Sequence, residues 1–282
     1  MEAGFEHWDR LLFRDFLIEH PEIARKYVDL KMRLSVTYRG DRVSYTEAKT
    51  DFIREVTGIA KRHYEKTGNK QKTMKISVIL AHPDQQSFNH AIARTAAAQL
   101  GRNGHEVFFH DLYAENFDPL LPGEEIPKDA LLPEAVEVHC REISEAEGIV
   151  IVHPNWWGQP PAVLKGWIDR IIRPGVAYEF LEGDSGEGVP NGLLKARAAV
   201  VFNTSNTAPE REQSIFGDPL ETIWRNCIFG LCGVDNFYRR MFGVIVTSTE
   251  SQRQEWLDEV GKTVDRFFPG ENSGEKTRSS RK

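Results

Sequence analysis

The sequence has 282 residues, about twice the commonest domain size, so it holds either one large domain or a domain with an addition. Hydrophobic residues at 40% and charged residues at 28% exclude wholesale disorder, collagen-like repeats and a long coiled coil, and predict a packed core. The formal charge of −6, from 36 Lys and Arg against 42 Asp and Glu, argues against a nucleic-acid binder.

The first 72 residues differ from the rest. They carry 15 Lys and Arg against 12 Asp and Glu, net +3, which leaves 21 against 30, net −9, for residues 73–282. Pro21 suits the start of a helix, and Ile23, Tyr27, Leu30 and Leu34 follow it at spacings of four, three and four, one apolar stripe. A further helical run over residues 44–66 places Tyr45, Ala48, Phe52, Val56, Ile59 and His63 on a similar face. The polar stretch EKTGNKQKT then reads as a linker.

Beyond it the pattern alternates between strand and helix. KISVILA (residues 75–81) is a continuous apolar run suited to a strand covered on both faces, HEVFFHD (105–111), GIVIVHP (148–154) and RAAVVFN (197–203) read as further strands, and a fifth strand is expected near 242–247. Helices are expected over 89–102, 134–147, 161–173, near 219–227 and over 250–268. Five such units predict an α/β fold with a doubly wound parallel sheet of five strands, preceded by a small helical extension. The expected divisions are 1–72, 73–270 and a disordered tail, 271–282. The connection over 112–132 is long, and loops of that length are commonly functional or mobile.

Cys140, Cys227 and Cys232 have neither a disulfide framework nor a zinc-binding spacing, which fits a reducing, cytoplasmic setting without a metal. The acidic N-terminus lacks an apolar core and no stretch approaches the roughly 18–20 apolar residues of a membrane span, so neither export nor membrane spanning is expected.

Ligands of an open parallel sheet bind at the carboxyl ends of its strands, which directs attention to three loops. HPDQQSFNH (82–90) contains no glycine and cannot be a Walker loop or a G-x-G-x-x-G turn. It offers the Ser87 hydroxyl, Asn89 and the N–H groups of a helix N-terminus, an anion site or simply a helix cap. HPNWWGQPPAVLKGWIDR (153–170) puts Trp156 and Trp157 between Pro154, Pro160 and Pro161, a stiff apolar surface for a flat aromatic ligand or for a second subunit. Lys165 and Asp169, one turn apart, read as a solvated ion pair. NTSNTAPERE (203–212) offers short hydroxyl and amide groups for the edge of a polar heterocycle. All three open on the same sheet edge.

AHPDQQSFNHAI, DLYAENFDPLL, HPNWWGQPPAVLKGWIDRII and the NTSNT loop resemble the flavodoxin-like NAD(P)H-dependent quinone reductases, including the ancillary flavoproteins of bacterial potassium-efflux systems, over about residues 74–268. The resemblance implies a bound flavin, FAD or FMN, with NADH or NADPH as co-substrate, a quinone-like acceptor and a homodimer. Carried onto this sequence, it places His82, Gln86, Ser87, Phe88 and Asn89 around the flavin phosphate and ribityl chain. Pro154, Asn155, Trp156 and Trp157 then line the ring, and Asn203, Thr204 and Ser205 face its polar edge. Glu210 and Phe216 stand where the animal quinone reductases carry the Tyr and His that assist proton movement, and neither receives a catalytic role here. Thr204-Ser205-Asn206 replaces a common Gly-Gly pair.

LLFRDFLIEHPEIARKYVDLKMRL followed by SYTEAKTDFI resembles the C-terminal helical end of GrpB-like proteins, over about residues 8–64 and without that family's upstream core. Arg14, Lys31 and Lys49 there read as solvated helix charges rather than a phosphate site. The expected activity is two-step hydride transfer from NAD(P)H through flavin to a quinone. The rivals are a flavin-binding regulatory subunit, peripherally associated with a membrane transporter, and a flavin-free dimerisation scaffold.

Overall fold

A computed structural model of the protein describes residues 7–38, 44, 48–66, 73–180 and 190–270. Residues 67–72 of the expected linker and the expected tail, 271–282, lie outside the described residues. The chain divides into two compact units, Met1–Gln71 and Lys72–Lys282.

The first unit contains α1 (His7–Glu19), α2 (Pro21–Thr37) and α3 (Thr50–Lys66). Pro21 occupies the first turn of α2, where a missing N–H leaves no hydrogen bond unmade. The helical stripes meet in a small core of Phe16, Val56 and Ala60, against which Phe13, Leu17, Ile23, Phe52 and Ile59 pack. Tyr27 stacks on Phe52 with ring centroids 5.5 Å apart, and Lys31 lies over the Tyr27 ring at 5.6 Å.

The second unit runs β1 (Lys75–Leu80), α4 (Phe88–Arg102), β2 (Glu106–Asp111), α5 (Glu134–Glu145), β3 (Gly148–Pro154) and α6 (Ala162–Ile171). A small antiparallel pair follows, β4 (Tyr178–Glu179) with β5 (Asn191–Gly192). Then come β6 (Ala199–Thr204), α7 (Pro209–Phe216), α8 (Pro219–Thr222), a π-helical segment over Ile223–Gly230, β7 (Phe237–Phe242) and α9 (Glu250–Phe267). The main sheet has the order β2-β1-β3-β6-β7 and every neighbouring pair is parallel. Side chains alternate across a strand, so each buried strand feeds two cores. Ile79, Ile149, Ile151 and Val201 join residues of α5 and α6 on one face, while Ile76, Val78, Val150, Val152, Val200 and Phe202 join α4 and α9 on the other. Both faces being covered explains why these strands read as continuous apolar runs.

Two expected elements differ. The fifth strand is Phe237–Phe242, not 242–247. Its sequence, FYRRMF, carries two arginines because it is an edge strand whose charges are paired, Arg240 with Glu259 at 2.6 Å and Arg239 with Glu221 at 3.0 Å. The apolar stretch after it is a loop in which Val246 is largely exposed. The helix expected near 219–227 is shorter as an α-helix and passes into the π-helical segment, and α7 forms inside the stretch read as the third loop, starting at Pro209.

The long connection over 112–132 is tied to α6. Arg170 donates to both carboxylate oxygens of Glu125, at 2.9 and 2.5 Å, and to the Asp118 carbonyl at 2.7 Å. Arg173 donates to the Pro127 carbonyl at 2.6 Å. Gly166 completes the contact, because a Cβ there would run into the backbone of Pro119. Lys165 and Asp169 pair at 2.6 Å on the exposed face of the same helix, as the sequence implies.

Candidate functional site

The carboxyl ends of β1, β3 and β6 open on a cavity of about 730 Å³. In the sheet order found here, connections reverse direction between β1 and β3, the place where open α/β sheets bind ligands.

From the first loop, His82, Ser87, Phe88 and Asn89 line the cavity. Ser87 caps α4, its hydroxyl accepting from the His90 backbone N–H. Gln86 does not line it: the side chain is exposed and the backbone N–H is taken by the Asp84 carboxylate at 2.9 Å. The Asp84 backbone N–H donates to His82 Nδ1 at 3.1 Å, and burial lowers the pKa of that imidazole. Asn89, 2% exposed, donates from Nδ2 to Thr204 Oγ1 at 2.9 Å, while its Oδ1 has no partner among the described residues. An orphaned acceptor lining a cavity is the kind of group a ligand hydroxyl or N–H satisfies.

From the second loop, Pro154, Asn155, Trp156 and Trp157 all line the cavity. Trp156 and Gln159 exchange two backbone hydrogen bonds, at 3.1 and 3.0 Å, across Trp157 and Gly158, whose φ values are 57° and 72°. Positive φ at both central residues makes a type I′ turn. A bulky residue rarely adopts such a φ, yet Trp157 does so and is fully exposed, its indole displayed beside the cavity. The turn is fastened from beneath: Asn155 Oδ1 accepts from the Gly158 N–H at 3.0 Å, and Asn155 Nδ2 donates to the buried Glu212 carboxylate at 2.9 Å.

The base of this loop is fixed by His153, which is fully buried. Trp224 Nε1–H donates to its Nε2 at 3.0 Å, so the ring hydrogen resides on Nδ1 and donates to the Pro154 carbonyl at 2.8 Å. Burial pushes its pKa down to about 4 despite that bond, with Arg239 adding to the effect. The ring is therefore a neutral strut at physiological pH.

From the third loop, Thr204 and Ser205 line the cavity and Asn203 does not. Asn203 is buried, its Oδ1 accepting from Arg239 Nη1 at 2.8 Å and its Nδ2 without a partner among the described residues. The near-buried Arg239 also binds Asp218 and Glu221, so one guanidinium joins β6, β7 and α8. Phe216 lines the cavity, and Glu210 is exposed on α7 away from it. Sequence reasoning did not reach Asp84, Glu212 or Ile245, which also line the cavity. Ile245 was hidden by placing a strand over it, and Glu212 reads as an ordinary helix carboxylate until its burial is known.

Residues 74–264 match the family model described as "Flavodoxin-like fold". The chain belongs to that family. Residues 1–59 match the model described as "GrpB protein". The flavodoxin-like part is similar to an "Uncharacterized NAD(P)H oxidoreductase" of Haemophilus influenzae, 34% identical over 185 residues, spanning 64% of this chain and 89% of that protein. It is also similar to a ribosyldihydronicotinamide dehydrogenase [quinone] of Mus musculus, 26% identical over 203 residues, 64% of this chain and 86% of that protein. The NAD(P)H:quinone oxidoreductase structure from Methanothermobacter marburgensis superposes with a TM-score of 0.60 at 25% identity, covering 68% of this chain and 96% of that one. Among the described residues no helix is long and apolar enough to cross a membrane.

The flavodoxin-like unit carries a second polar cluster beyond the end of β2. His110 Nδ1 lies 2.9 Å from Glu115 and its Nε2 2.7 Å from Glu142, and the His139 ring lies against His110 with centroids 3.9 Å apart. His110, Glu115 and His139 offer ligand atoms within 4.8 Å of one another. Trp167 Nε1–H, however, donates to His139 Nδ1 at 3.0 Å, which puts the ring hydrogen on Nε2, facing Glu115 at 3.3 Å. The cluster is thus built as a hydrogen-bond network, not a ligand set.

Burial works against a charged His110, but the hydrogen bonds and charges of Glu115 and Glu142 outweigh it and raise its pKa above 6.5. Burial likewise opposes ionisation of Glu115, yet the histidine partners hold it down to about 2 from 4.5. The raised histidine stabilises the fold fully below about pH 6.5 and less as pH climbs through its raised value. The depressed carboxyl stabilises above about 4.5 and less as pH falls toward 2. The stability difference between wild type and His110→Gln, measured by urea unfolding, should be greatest between about pH 4.5 and 6.5 and shrink on the alkaline side.

Proposed function

We propose that this protein is a flavin-dependent NAD(P)H:quinone oxidoreductase whose activity resides in residues 73–270, with the GrpB-like segment, residues 1–72, as an appended unit. The observation that carries this reading is the cavity where β1, β3 and β6 end, which combines a capped helix N-terminus, the orphaned Asn89 acceptor and a displayed tryptophan turn. The names of the relatives support the same chemistry. A flavin bound there would take hydride from NAD(P)H and pass two electrons to a quinone in separate half-reactions.

In this reading Ser87 and the N-terminus of α4 receive the flavin phosphate, since N–H groups left unpaired in a first helical turn favour anions. Asn89 Oδ1 accepts from the ribityl chain. Pro154, Asn155, Trp156 and Trp157 hold the ring plane and present a flat apolar face to the reactants, while Thr204 and Ser205 address the polar ring edge. Trp157, Phe216 and Ile215 are exposed at or beside the cavity mouth, the last two 50% and 66% exposed, and a second copy of the chain would cover them as a homodimer. Free cysteines at 140, 227 and 232 accord with a cytoplasmic setting.

Steady-state oxidation of NADH and NADPH with menadione tests the proposal. Turnover that requires flavin and gives parallel double-reciprocal lines is the expected result. A flavin-loaded protein that passes no electrons to any quinone would overturn it.

A further inference from the structure

Among the described residues, the phosphate end of the cavity has no Lys or Arg. The charged side chains lining the cavity are Asp84 and Glu212, and neither Lys nor Arg is among the described lining residues. The FMN phosphate carries two negative charges once pH exceeds about 6, and the FAD diphosphate carries two, one on each phosphate, without titrating in that range. Unpaired helix N–H groups attract an anion, but the effect of a helix terminus on charge is modest and confined to the first turn. A cation held beside that terminus would strengthen capture.

It can come from directly behind Ser87. His90, 3% exposed, lies between the Asp111 carboxylate, 2.9 Å from Nε2, and the Ser87 hydroxyl, 3.0 Å from Nδ1. Asp111 Oδ1 accepts from the backbone N–H groups of Tyr113 and Ala114, both at 3.2 Å, so this carboxylate is held as an acceptor on both oxygens. A carboxylate can only accept, which places a hydrogen on His90 Nε2. In the neutral ring Nδ1 is then a lone pair, and the Ser87 O–H donates to it. Ser87 consequently turns its hydrogen away from the cavity and offers an incoming phosphate only lone pairs.

Adding a proton at Nδ1 reverses that bond. Nδ1–H donates to Ser87 Oγ, the hydroxyl hydrogen is released toward the cavity, and Ser87 becomes a donor to the anion while the imidazolium balances charge behind it. The other ionisable groups facing this pair are His82, whose ring centroid is 6.4 Å from that of His90, and Asp84, which contacts His82 through its backbone. The Asp84 N–H occupies His82 Nδ1, and His82 makes no contact with Ser87 of this kind.

We propose that His90, set between Asp111 and Ser87, takes up a proton when the flavin phosphate binds, so that cofactor capture is proton-coupled. The inference rests on the flavin reading above and adds to it a residue outside the cavity lining. Low pH strengthens capture, and the Ser87 hydroxyl acts as the switchable donor.

Isothermal titration of the full chain with FMN and with FAD at pH 8, in two buffers of different ionisation enthalpy, counts the protons taken up. Close to one proton per flavin is expected, none with riboflavin, and a flavin Kd that weakens about tenfold per pH unit where uptake is complete. In His90→Gln, which keeps hydrogen-bonding atoms between Ser87 and Asp111, uptake should vanish and the Kd should become flat with pH. Asp111→Asn should reduce uptake independently, which covers failure of the first variant to fold. FMN or FAD binding without proton uptake, uptake that persists in His90→Gln, uptake abolished only by His82→Gln, or equal uptake with riboflavin would each overturn the inference and leave the flavin reading intact. No binding of FMN, FAD or riboflavin would overturn that reading itself.

Discussion

Replacing Glu125 by Ala should destabilise the flavodoxin-like unit by about 3–5 kcal/mol, because it strands a buried guanidinium. Glu125 and Arg170 are 4% and 5% exposed and share two hydrogen bonds. Once the carboxylate is gone, Arg170 keeps the Asp118 carbonyl and a distant Asp118 carboxylate at 3.9 Å, neither of which replaces a bidentate partner. The pair itself contributes little beyond what an apolar pair of similar shape would, since desolvating both ions offsets most of their attraction. The single and double variants should therefore diverge. Glu125→Ala shifts the urea midpoint strongly, and Glu125→Leu with Arg170→Met recovers most of the loss. Equal destabilisation in both would mean that the charge pair is not what anchors the long connection over α6.

Glu212→Ala should lower kcat/KM for menadione reduction by about 100-fold, the scale at which a small misplacement of a positioning loop is felt. Glu212 accepts from Asn155, whose other end holds the Gly158 N–H of the tryptophan turn. Loss of that acceptor loosens a turn in which Trp157 is kept at a φ of 57°. Glu212→Gln retains a carbonyl oxygen for Asn155 and should recover most of the activity. Steady-state kinetics on flavin-replete protein separate this effect from cofactor loss. Activity unchanged in Glu212→Ala would show that Asn155 and the turn hold their geometry without the buried carboxylate.

Much of the fold was legible because parallel strands buried on both faces are apolar along their whole length. β1, β3 and β6 announce themselves in that way, and Pro21 and Ser87 stand at the starts of helices where their chemistry suits the first turn. The edge strand β7 did not, because FYRRMF hides its arginines in ion pairs that only tertiary structure supplies. The apolar residues after it drew the strand five residues too far along the chain, and with it went the view of Ile245 in the cavity.

For the site, three loops at one sheet edge were readable from strand order alone, and ten of the twelve residues expected there line the cavity. Gln86 and Asn203 stand apart for a physical reason. One is a turn residue whose backbone is consumed by Asp84, and the other points beneath the loop to Arg239. The supporting layer was invisible: His153, Glu212, Arg239, and the pairing of His90 with Asp111 depend on burial and on partners distant in sequence.

Mass and absorption spectrum of whatever small molecule leaves the purified protein on denaturation test the flavin assignment most directly. FMN or FAD at close to one per chain is the expected result, either as isolated or after incubation with flavin. A colourless protein that gains neither on reconstitution would contradict it.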